Sequence, residues 1–551
     1  MQTTTHKYPT LIDKFCDFET SQANQLFLSE PVAGSYKNFT WSEAGQQIRK
    51  MAAALNAMGL GKDDKVAILS KNCAHWIMAD LAISFAGCVS VPMYPNMTPD
   101  SIQQILEHSE AKAIFFGKLD NADQMRKGVP ENLMVIGFPF YLEKNTQNWD
   151  DVIAQQEPVQ GNPVKDPMAL ATIVYTSGTT GQSKGVMHNF HAVAYAVDRF
   201  LHNFPQIKKE IFFSYLPLCH VAEKMLVECG AIFTGSTIYF VENLDTFNAN
   251  LVYTQPTVFL AVPRIWEKMQ EGILSKMPQK KLSKLLSIPI VSSIIKKAIR
   301  KKLGLAKARF IFTGASPISV ALQEWFAKLG IIILEAYGMT ENSALSHANR
   351  VGHHKFGTVG QTYPGVLVRL SAQNEVQVKS DASMLGYFKE PGLTAESFED
   401  GYLKTGDEGS IDENGYLTIT GRIKDQFKTS KGKYIMPAPI ENKLLEHPLI
   451  SQACVVGSGM SSAFVLCTLA TATASNQEEL HQSLQALLDK TNSKLDHHEK
   501  LSKMVICKEE WSIPNGLLTP TLKIKRKSIE SYYGNNYDLW LKEEKKVIFV
   551  S

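Results

Sequence analysis

Short apolar runs alternate with amphipathic segments along the first part of the chain. Residues 40–43 (TWSE) form a capping-box pattern, which predicts a helix that ends near Gly59. The segments that follow are predicted as strand, helix, strand, helix and strand, at Val66–Leu69, Ala74–Phe85, Val89–Val91, Pro99–Ser109 and Ala113–Phe116. Such alternation predicts a layered α/β fold.

The same rhythm returns in four later apolar runs, each of which breaks into Gly, Ser, Thr or Pro. These predicted strands are Ala171–Tyr175, Val258–Val262, Arg309–Thr313 and Ile331–Leu334. Strand ends of this kind are where open α/β sheets bind ligands. Between 356 and 420 the pattern changes to short alternating segments with glycines, at Val366–Leu370, Glu375–Val378 and Tyr416–Ile419. This change predicts a small β-rich subdomain.

Beyond Gly421 the chain turns basic and then resumes helix and strand signals. We therefore predict a large amino-terminal domain over 1–422, which includes the β-rich subdomain at about 356–420. A second, smaller domain is predicted over 423–551. A chain of 551 residues has room for both.

Composition excludes several classes of protein. Hydrophobic residues make up 44% and charged residues 20%, as in soluble globular proteins, and a net charge of +3 is too small to predict a nucleic-acid partner. The eight cysteines include no C-x-x-C pair, which favours a reducing, cytoplasmic location over a disulfide framework or a zinc site. The amino terminus lacks a secretory pattern and no stretch approaches ~20 apolar residues, so neither secretion nor membrane spanning is expected.

The most informative stretch is a loop after the apolar run that ends at Tyr175. It holds glycines, hydroxyls and one lysine, namely Thr176, Ser177, Gly178, Thr179, Thr180, Gly181 and Lys184. Glycines let backbone N–H groups approach an anion, and hydroxyls and a lysine add donors and charge, so the loop suits a polyphosphate. It is not a Walker loop, because Ser183 stands where that motif needs a glycine before the lysine. A flexible turn without function is the alternative.

Nine segments in order resemble the adenylate-forming acyl-CoA synthetases. They are YTSGTTGQSKGV at 175, LPLCHVAEK at 216, VPRIWEKM at 262, GASPIS at 314, EAYGMTEN at 335, GYFKEPGLTAESF at 386, YLKTGDEG at 402, GRIKDQFKTSKGKYI at 421 and LTPTLKIKR at 518. The resemblance implies a large domain of layered sheets with a β-barrel-like subdomain and a mobile α+β carboxyl-terminal domain. It also implies ATP, Mg²⁺, a carboxylic acid and CoA as the reaction partners.

In that family a carboxylate attacks the α-phosphate of ATP, pyrophosphate leaves, and a thiol then displaces AMP. The resemblance implies that Lys523 bridges carboxylate and phosphate oxygens, where a cation stabilises developing charge. It also implies Glu341 as the Mg²⁺ ligand, with Thr176 as a second, since hard oxygen donors suit that ion. The alternatives are a solvated basic tail for Lys523 and a surface glutamate.

The resemblance assigns a nucleotide site to further residues. Tyr337 would present its ring to the adenine, with Gly338 and Thr340 beside it, and Gly314, Ala315 and Ser316 would line the other side. Asp407 would accept hydrogen bonds from the ribose hydroxyls, assisted by Arg422, although the two could instead form a structural ion pair. Lys424 corresponds to the family hinge, and Lys428 and Tyr434 are expected to approach the nucleotide.

His220 matches a histidine near the acyl carboxylate in the family. We expect it to position the substrate or support its charge, because the acid arrives already ionised. A core histidine is the alternative.

The VPRIWEK and GYFK segments resemble the long-chain fatty acid branch. Departures are Ser183 for a common proline, Leu522 for a glycine, and Ala438-Pro439 near the expected thiol entrance, which leaves the acceptor open.

One segment suggests a further partner. Between 276 and 309 there are eleven Lys or Arg residues and no Asp or Glu, interleaved with apolar residues. This pattern is typical of a segment that contacts an anionic membrane surface, or of a solvated basic face.

Two other functions stay open at this level. The acyl-adenylate could pass to a carrier-protein thiol instead of CoA, or the chain could be a silent lipid-binding protein of the same fold. Lys523, Glu341 and the intact loop argue against the silent protein.

Overall fold

Two large sheets organise the amino-terminal part of the chain. The computed structural model describes residues 8–141, 146–163, 166–177, 183–447, 449–470, 477–519 and 523–550. One sheet has eight strands, in the spatial order Gly386–Tyr387, Ser183–Asn189, Leu170–Ser177, Val89–Met93, Lys65–Leu69, Ala111–Phe116, Met134–Gly137 and Gln147–Asn148. The other has nine, in the order Gln361–Thr362, His347–Ala348, Leu334–Tyr337, Phe310–Thr313, Val258–Leu260, Ile211–Ser214, Thr237–Phe240, Leu26–Val32 and Ser35–Thr40.

Both sheets are parallel in the middle and antiparallel at an edge, and their helices cover the faces. The α-helices of this part are Leu11–Ser21, Trp41–Ala57, Ala74–Ala86, Pro99–Ser109, Ala122–Arg126, Trp149–Ala154, Phe190–Asn203, Val221–Glu223, Gly230–Thr234, Phe247–Thr254, Pro263–Lys276, Gln279–Leu286, Pro289–Lys302, Val320–Lys328 and Pro391–Glu396. A π-helix spans Lys224–Cys229, and 3₁₀ turns span Thr340–Asn342 and Ile423–Asp425.

A shared apolar core joins the two sheets. Every residue of the helix Ala74–Ala86 is buried, and its cluster takes in Phe115 from the eight-stranded sheet and Phe212 from the nine-stranded one. The helix Trp41–Ala57 packs against this helix. The hydroxyl of its cap residue Thr40 accepts the Glu43 N–H, and the Glu43 carboxylate accepts the Thr40 N–H. The predicted capping box is therefore confirmed.

Most strands of the β-rich segment form a five-stranded antiparallel sheet. Its strands are Leu367–Leu370, Glu375–Lys379, Phe398–Glu399, Tyr402–Ile411 and Leu417–Arg422. Two further strands of the same segment leave this sheet, because Gln361–Thr362 joins the nine-stranded sheet and Gly386–Tyr387 the eight-stranded one. The segment thus ties the edges of both large sheets together.

The carboxyl-terminal part has its own sheet and its own cores. Four strands, Ile450–Val456, Phe464–Leu469, Met504–Ile506 and Val547–Phe549, carry one apolar cluster on each face. A two-stranded sheet, Phe427–Lys428 with Tyr434–Ile435, precedes them. The helices here are Pro437–Leu445, Gln477–Asn492, Arg526–Tyr533 and Tyr537–Lys542, with a 3₁₀ turn at Gly534–Asn536.

The α/β fold class and its mixed layers are confirmed, but two strand predictions need correction. The strand predicted at Ile331–Leu334 spans Leu334–Tyr337 instead. Ile331 and Ile333 are buried in an apolar cluster, and pairing with the neighbouring strand begins only at Leu334, so their apolar run reflects packing alone. The strand predicted to reach Val262 stops at Leu260, because Pro263 begins a helix with Val262 as its cap.

In the part of the chain that the structure describes, no helix is both long and apolar enough to cross a bilayer.

Candidate active site

The predicted phosphate loop is anchored in a β-hairpin. The strands Leu170–Ser177 and Ser183–Asn189 pair antiparallel, with Thr176 opposite Lys184 and Ser177 opposite Ser183. Gly178, Thr179, Thr180 and Gly181, like the Ser177 side chain, lie outside the described residues. The two ends of the loop are therefore fixed by the sheet, while the phosphate role of its tip stays a prediction.

Lys184 and Glu341 both lie next to Tyr387, a residue that the sequence did not single out. The Lys184 Nζ lies 5.5 Å from the centre of the Tyr387 ring. The Tyr387 hydroxyl donates to Glu341 Oε1 at 2.8 Å. Tyr387 reaches this place because Gly386–Tyr387 pairs with the second strand of the hairpin. The only sequence signal for it is its position in the family segment at 386.

The turn that carries Glu341 is held from several sides. Thr340–Asn342 forms a 3₁₀ turn, and the Thr340 carbonyl accepts a hydrogen bond from His188 Nε2 at 2.7 Å. Burial lowers the pKa of His188 to about 4, so this ring is neutral at pH 7. Gly338 is required on steric grounds, because a Cβ there would lie 2.5 Å from the Ala344 carbonyl oxygen. The Glu341 carboxylate is thus presented from a constrained turn.

Tyr337, Asp407 and Arg422 form one hydrogen-bonded group. The Tyr337 hydroxyl donates to Asp407 Oδ2 at 2.6 Å, and Arg422 Nε lies 2.8 Å from Asp407 Oδ1. Asp407 and Arg422 are cross-strand partners, whereas Tyr337 comes from the end of a strand in the nine-stranded sheet. Burial and the Asp407 charge raise the pKa of Tyr337, which keeps it a hydrogen-bond donor. A carboxylate accepts about four hydrogen bonds, so two remain for a ligand.

The segment Gly314–Ser316 passes close to the strand that ends at Tyr337. A Cβ on Gly314 would lie 3.1 Å from the Ala336 carbonyl oxygen. Ala315 has a φ of +67°, a left-handed conformation that is uncommon for alanine and clusters at functional sites. Gly314, one of the small residues predicted to flank the adenine, therefore lies beside the strand end that carries Tyr337.

His220 begins a short helix and is held in one tautomer. Its Nδ1 accepts the Ala222 N–H at 3.3 Å, which leaves the proton on Nε2. Burial, with a smaller effect from the Lys523 charge, lowers its pKa to about 4. A neutral imidazole offers a hydrogen-bond donor at Nε2, so the expected role of His220 beside the acyl carboxylate stays a prediction.

Lys523 enters this group from the carboxyl-terminal part of the chain. The Thr519 N–H donates to the Lys523 carbonyl at 2.8 Å, and the Lys523 N–H donates to the Thr519 hydroxyl at 3.0 Å. Lys523 is exposed, yet the protein packed beside its ammonium desolvates it in part. This desolvation and the Arg422 charge lower its pKa to about 8, against the opposing effect of Asp407 and Glu341. Lys523 thus interacts electrostatically with Arg422, Asp407, Glu341 and His220, and Asp407 also interacts with Tyr337.

The predicted hinge and two further residues lie at the border of this group. Lys424 is exposed in the 3₁₀ turn directly after Arg422. Lys428 and Tyr434 are cross-strand partners whose ammonium and ring centre lie 5.4 Å apart. Among the described residues neither contacts Asp407, Glu341 or Lys523, so their approach to a nucleotide stays a prediction.

Known sequences match this chain over nearly its whole length. The AMP-binding enzyme family matches residues 19–388, and the AMP-binding enzyme C-terminal domain matches 424–538. The long-chain-fatty-acid–CoA ligase FadD15 of Mycobacterium tuberculosis is 27% identical, over 95% of this chain and 95% of that protein. Long chain acyl-CoA synthetase 2 of Arabidopsis thaliana is also 27% identical, over 98% and 94%.

Solved structures share the fold at lower identity. An anthranilate CoA ligase bound to anthranoyl-AMP has a TM-score of 0.79 at 18% identity, covering 95% of this chain and 97% of that one. The adenylation domain of a carboxylic acid reductase from Segniliparus rugosus, bound to AMP, has 0.80 at 20%, covering 97% and 94%. With the family matched across both parts of the chain, this protein belongs to the adenylate-forming AMP-binding enzymes.

Proposed function

We propose that this protein is an ATP-dependent fatty acid–CoA ligase. It joins a long-chain fatty acid to AMP with release of pyrophosphate, then transfers the acyl group to CoA with release of AMP. One arrangement carries the proposal: Tyr337, Asp407 and Arg422 form a hydrogen-bonded group, and the charges of Arg422 and Asp407 influence the pKa of Lys523 from the other part of the chain. The names of the relatives, all ligases or synthetases of long-chain acids, support the choice of substrate.

The nucleotide is proposed to bind between Tyr337 and the segment Gly314–Ser316. Asp407 accepts the ribose hydroxyls with its two free acceptor positions, while Tyr337 and Arg422 hold its carboxylate in place. The phosphates lie over the hairpin loop, where Lys184 and the hydroxyl of Thr176 flank the tip. The Tyr337–Asp407–Arg422 group supports this arrangement because it orients an ionised acceptor before any ligand arrives.

In the first half-reaction the acid's carboxylate oxygen bonds to the α-phosphorus, and the bond from that phosphorus to the bridging oxygen of pyrophosphate breaks. Negative charge grows on the oxygens around phosphorus, and the Lys523 ammonium stabilises it without transferring a proton. In the second, the CoA sulfur bonds to the acyl carbon, the carbon–oxygen bond to AMP breaks, and the thiol proton goes to solvent. His220 donates from Nε2 to the acyl oxygen and orients it.

Mg²⁺ fits the donors around Glu341. This ion keeps most of its water and phosphate ligands and takes only one or two carboxylates from a protein. Glu341 meets that need, because Tyr387 occupies Oε1 and Oε2 has no hydrogen-bond partner within the described ranges. Thr176 is the proposed second donor. When bound, Mg²⁺ would neutralise phosphate charge.

The two half-reactions are proposed to use two arrangements of the parts 1–422 and 423–551, with Lys424 as the hinge. In the present arrangement Arg422, Asp407 and Glu341 influence the Lys523 charge, which supports its assignment to the first half-reaction. This arrangement is held in part by an ion pair across the two parts, in which Arg264 Nη2 lies 3.1 Å from Glu510 Oε1. Lys428 and Tyr434 follow the hinge and are proposed to reach the nucleotide in this arrangement.

We propose a cytoplasmic location with contact to an anionic membrane from one face. All eight cysteines are buried and none forms a disulfide with a described residue, which suits a reducing compartment. The proposed substrate partitions into bilayers, so contact with a membrane shortens its path to the site.

The function is tested by the two half-reactions. We expect palmitate-dependent exchange of labelled pyrophosphate into ATP, and palmitoyl-CoA when CoA is added. Lys523→Ala should lower exchange at least about 100-fold because it removes the cation that faces the transition state, whereas the exposed Lys527→Ala should not. Exchange without a CoA product, but with an acylated carrier protein, would overturn the acceptor. A folded protein without exchange on any acid would overturn the enzyme.

The pKa values of Lys523 and His220 predict a pH profile. The Lys523 pKa of about 8 means that the ammonium dominates below that pH, so kcat/KM for ATP should fall as pH rises through about 8. The His220 pKa of about 4 means that no ionisation of this ring appears between about pH 5 and 7. Initial rates of exchange across this range measure both. A profile that stays flat to about pH 10 would contradict the role of Lys523.

Tyr387 should matter through Glu341. Tyr387→Phe removes the hydroxyl that orients the carboxylate, and loss of such an outer partner weakens metal binding about 10- to 100-fold. We expect the Mg²⁺ concentration for half-maximal exchange to rise by about tenfold, with partial recovery of rate at high Mg²⁺. The exposed Tyr532→Phe is the matched control. An unchanged Mg²⁺ requirement would exclude this role.

The Arg264–Glu510 ion pair should favour the first half-reaction alone. An exposed pair of this kind stabilises by about 0.2 to 1 kcal/mol, so Glu510→Gln should slow pyrophosphate exchange by at most about fivefold. The rate of thioester formation from preformed acyl-adenylate should not fall. Glu509→Gln, a change at the exposed neighbour, controls for charge. Equal slowing of both half-reactions would show that the pair does not select between arrangements.

A further inference from the structure

Two surface helices, Gln279–Leu286 and Pro289–Lys302, pack on the body of the protein with one side only. That side is apolar and joins the cluster around Trp266 and Phe326 through Leu282, Leu286, Ile295, Ile299 and Leu303. The folding role of the two helices is carried by these residues. The opposite side takes no part in this packing, so its composition needs a different explanation.

The opposite side of the second helix carries exposed isoleucines. Ile290 is 78% exposed, Ile294 is 63% exposed, and Ile288 just before the helix is 46% exposed. Ile290 and Ile294 are four residues apart and therefore share one helix face. The solvent face of a surface helix ordinarily carries polar residues, so adjacent isoleucines form an apolar tip.

The same face continues as lysine. Lys297 and Lys301 follow Ile294 at helical spacing, and both are exposed. Two of the eleven basic residues between 276 and 309 serve the fold, since Arg309 pairs with Glu210 and Arg300 donates to the Ala308 carbonyl at 3.0 Å. The other nine make no ion pair with any described residue: Lys276, Lys280, Lys281, Lys284, Lys296, Lys297, Lys301, Lys302 and Lys307.

We infer that this face docks on the surface of an anionic lipid bilayer. Ile288, Ile290 and Ile294 enter the boundary between headgroups and acyl chains, and the surrounding lysines contact the lipid phosphates. An apolar tip ringed by uncompensated cations matches that boundary, which is apolar inside and negatively charged outside. We call this set of residues the docking face.

Other occupants fit the docking face less well. A second copy of the chain would bring two sets of unpaired lysines together, and like charges repel. A nucleic acid offers phosphates but no apolar layer for the isoleucines, so it explains only half of the composition. The bilayer accounts for both halves.

The inference adds a membrane-docking face to the proposed ligase. Only the purpose of docking, delivery of the fatty acid, rests on the proposed function. Binding to vesicles needs neither ATP nor CoA. Vesicle binding and pyrophosphate exchange can therefore fail separately, and each failure identifies which proposal is wrong.

Co-sedimentation of the full-length protein with vesicles tests the docking face. Vesicles of phosphatidylcholine alone are compared with vesicles that also contain phosphatidylglycerol, at low and high salt. Lys297→Glu with Lys301→Glu should lower the partition coefficient at least tenfold, since each lysine at such a surface contributes about fivefold. The matched control, Lys494→Glu with Lys500→Glu, changes the net charge equally at exposed sites and should change binding less than about twofold.

The isoleucines need a separate, charge-neutral variant. Ile290→Asn with Ile294→Asn should lower binding about tenfold, because apolar burial is lost, and should leave the salt dependence in place. Exchange activity measured with a soluble short-chain acid should stay unchanged in every variant, which reports that the fold is intact. Equal losses in the test and control lysine variants, no effect of the isoleucine change, or stronger binding to duplex DNA than to vesicles would overturn the inference.

Discussion

The balance of opposing influences on the charge of the exposed Lys523 is the constraint on which this site depends. The surrounding protein and Arg422 disfavour the charge on Lys523, whereas Asp407 and Glu341 favour it. The balance brings its pKa close to physiological pH, so a small change in its surroundings changes its charge. An anionic phosphate beside Lys523 would add to the favourable side. Binding of substrate and charging of the lysine therefore support each other.

The remaining groups of the site are held by contacts between distant segments. Tyr337 holds Asp407 across 70 positions of sequence, and Tyr387 holds Glu341 across 46. The β-rich segment makes both contacts possible, since its strands join both large sheets and also carry Asp407 and Arg422. The scaffold thus positions ionised groups before a ligand arrives, which removes part of the cost of ordering them at the time of reaction.

The two proposed activities, catalysis and membrane docking, need different arrangements of charge. At the site, charges are few, partly buried and mutually oriented. On the helices between 279 and 302, charges are numerous, mostly exposed and without acidic partners among the described residues, and they surround an apolar tip. The first arrangement suits chemistry on a phosphate, and the second suits a soft surface such as a bilayer. The net charge of the whole chain, +3, indicates neither of these local arrangements.

The sequence by itself determined the fold class, the order of most elements and the family. The capping box at Thr40 and the regular apolar runs act locally, because caps and periodicity involve residues within a few positions of one another. The limits of the two domains and the roles of the site residues stay predictions. Only the tertiary structure decided where strands end: Ile331 and Ile333 are apolar because they are buried, and nothing local distinguishes that from strand pairing. It alone revealed Tyr387 beside Glu341, the hydrogen bond that sets the His220 tautomer, and the lysines that pair with no described acidic residue. These properties arise from desolvation and from contacts between residues far apart in the chain, which a linear pattern does not contain.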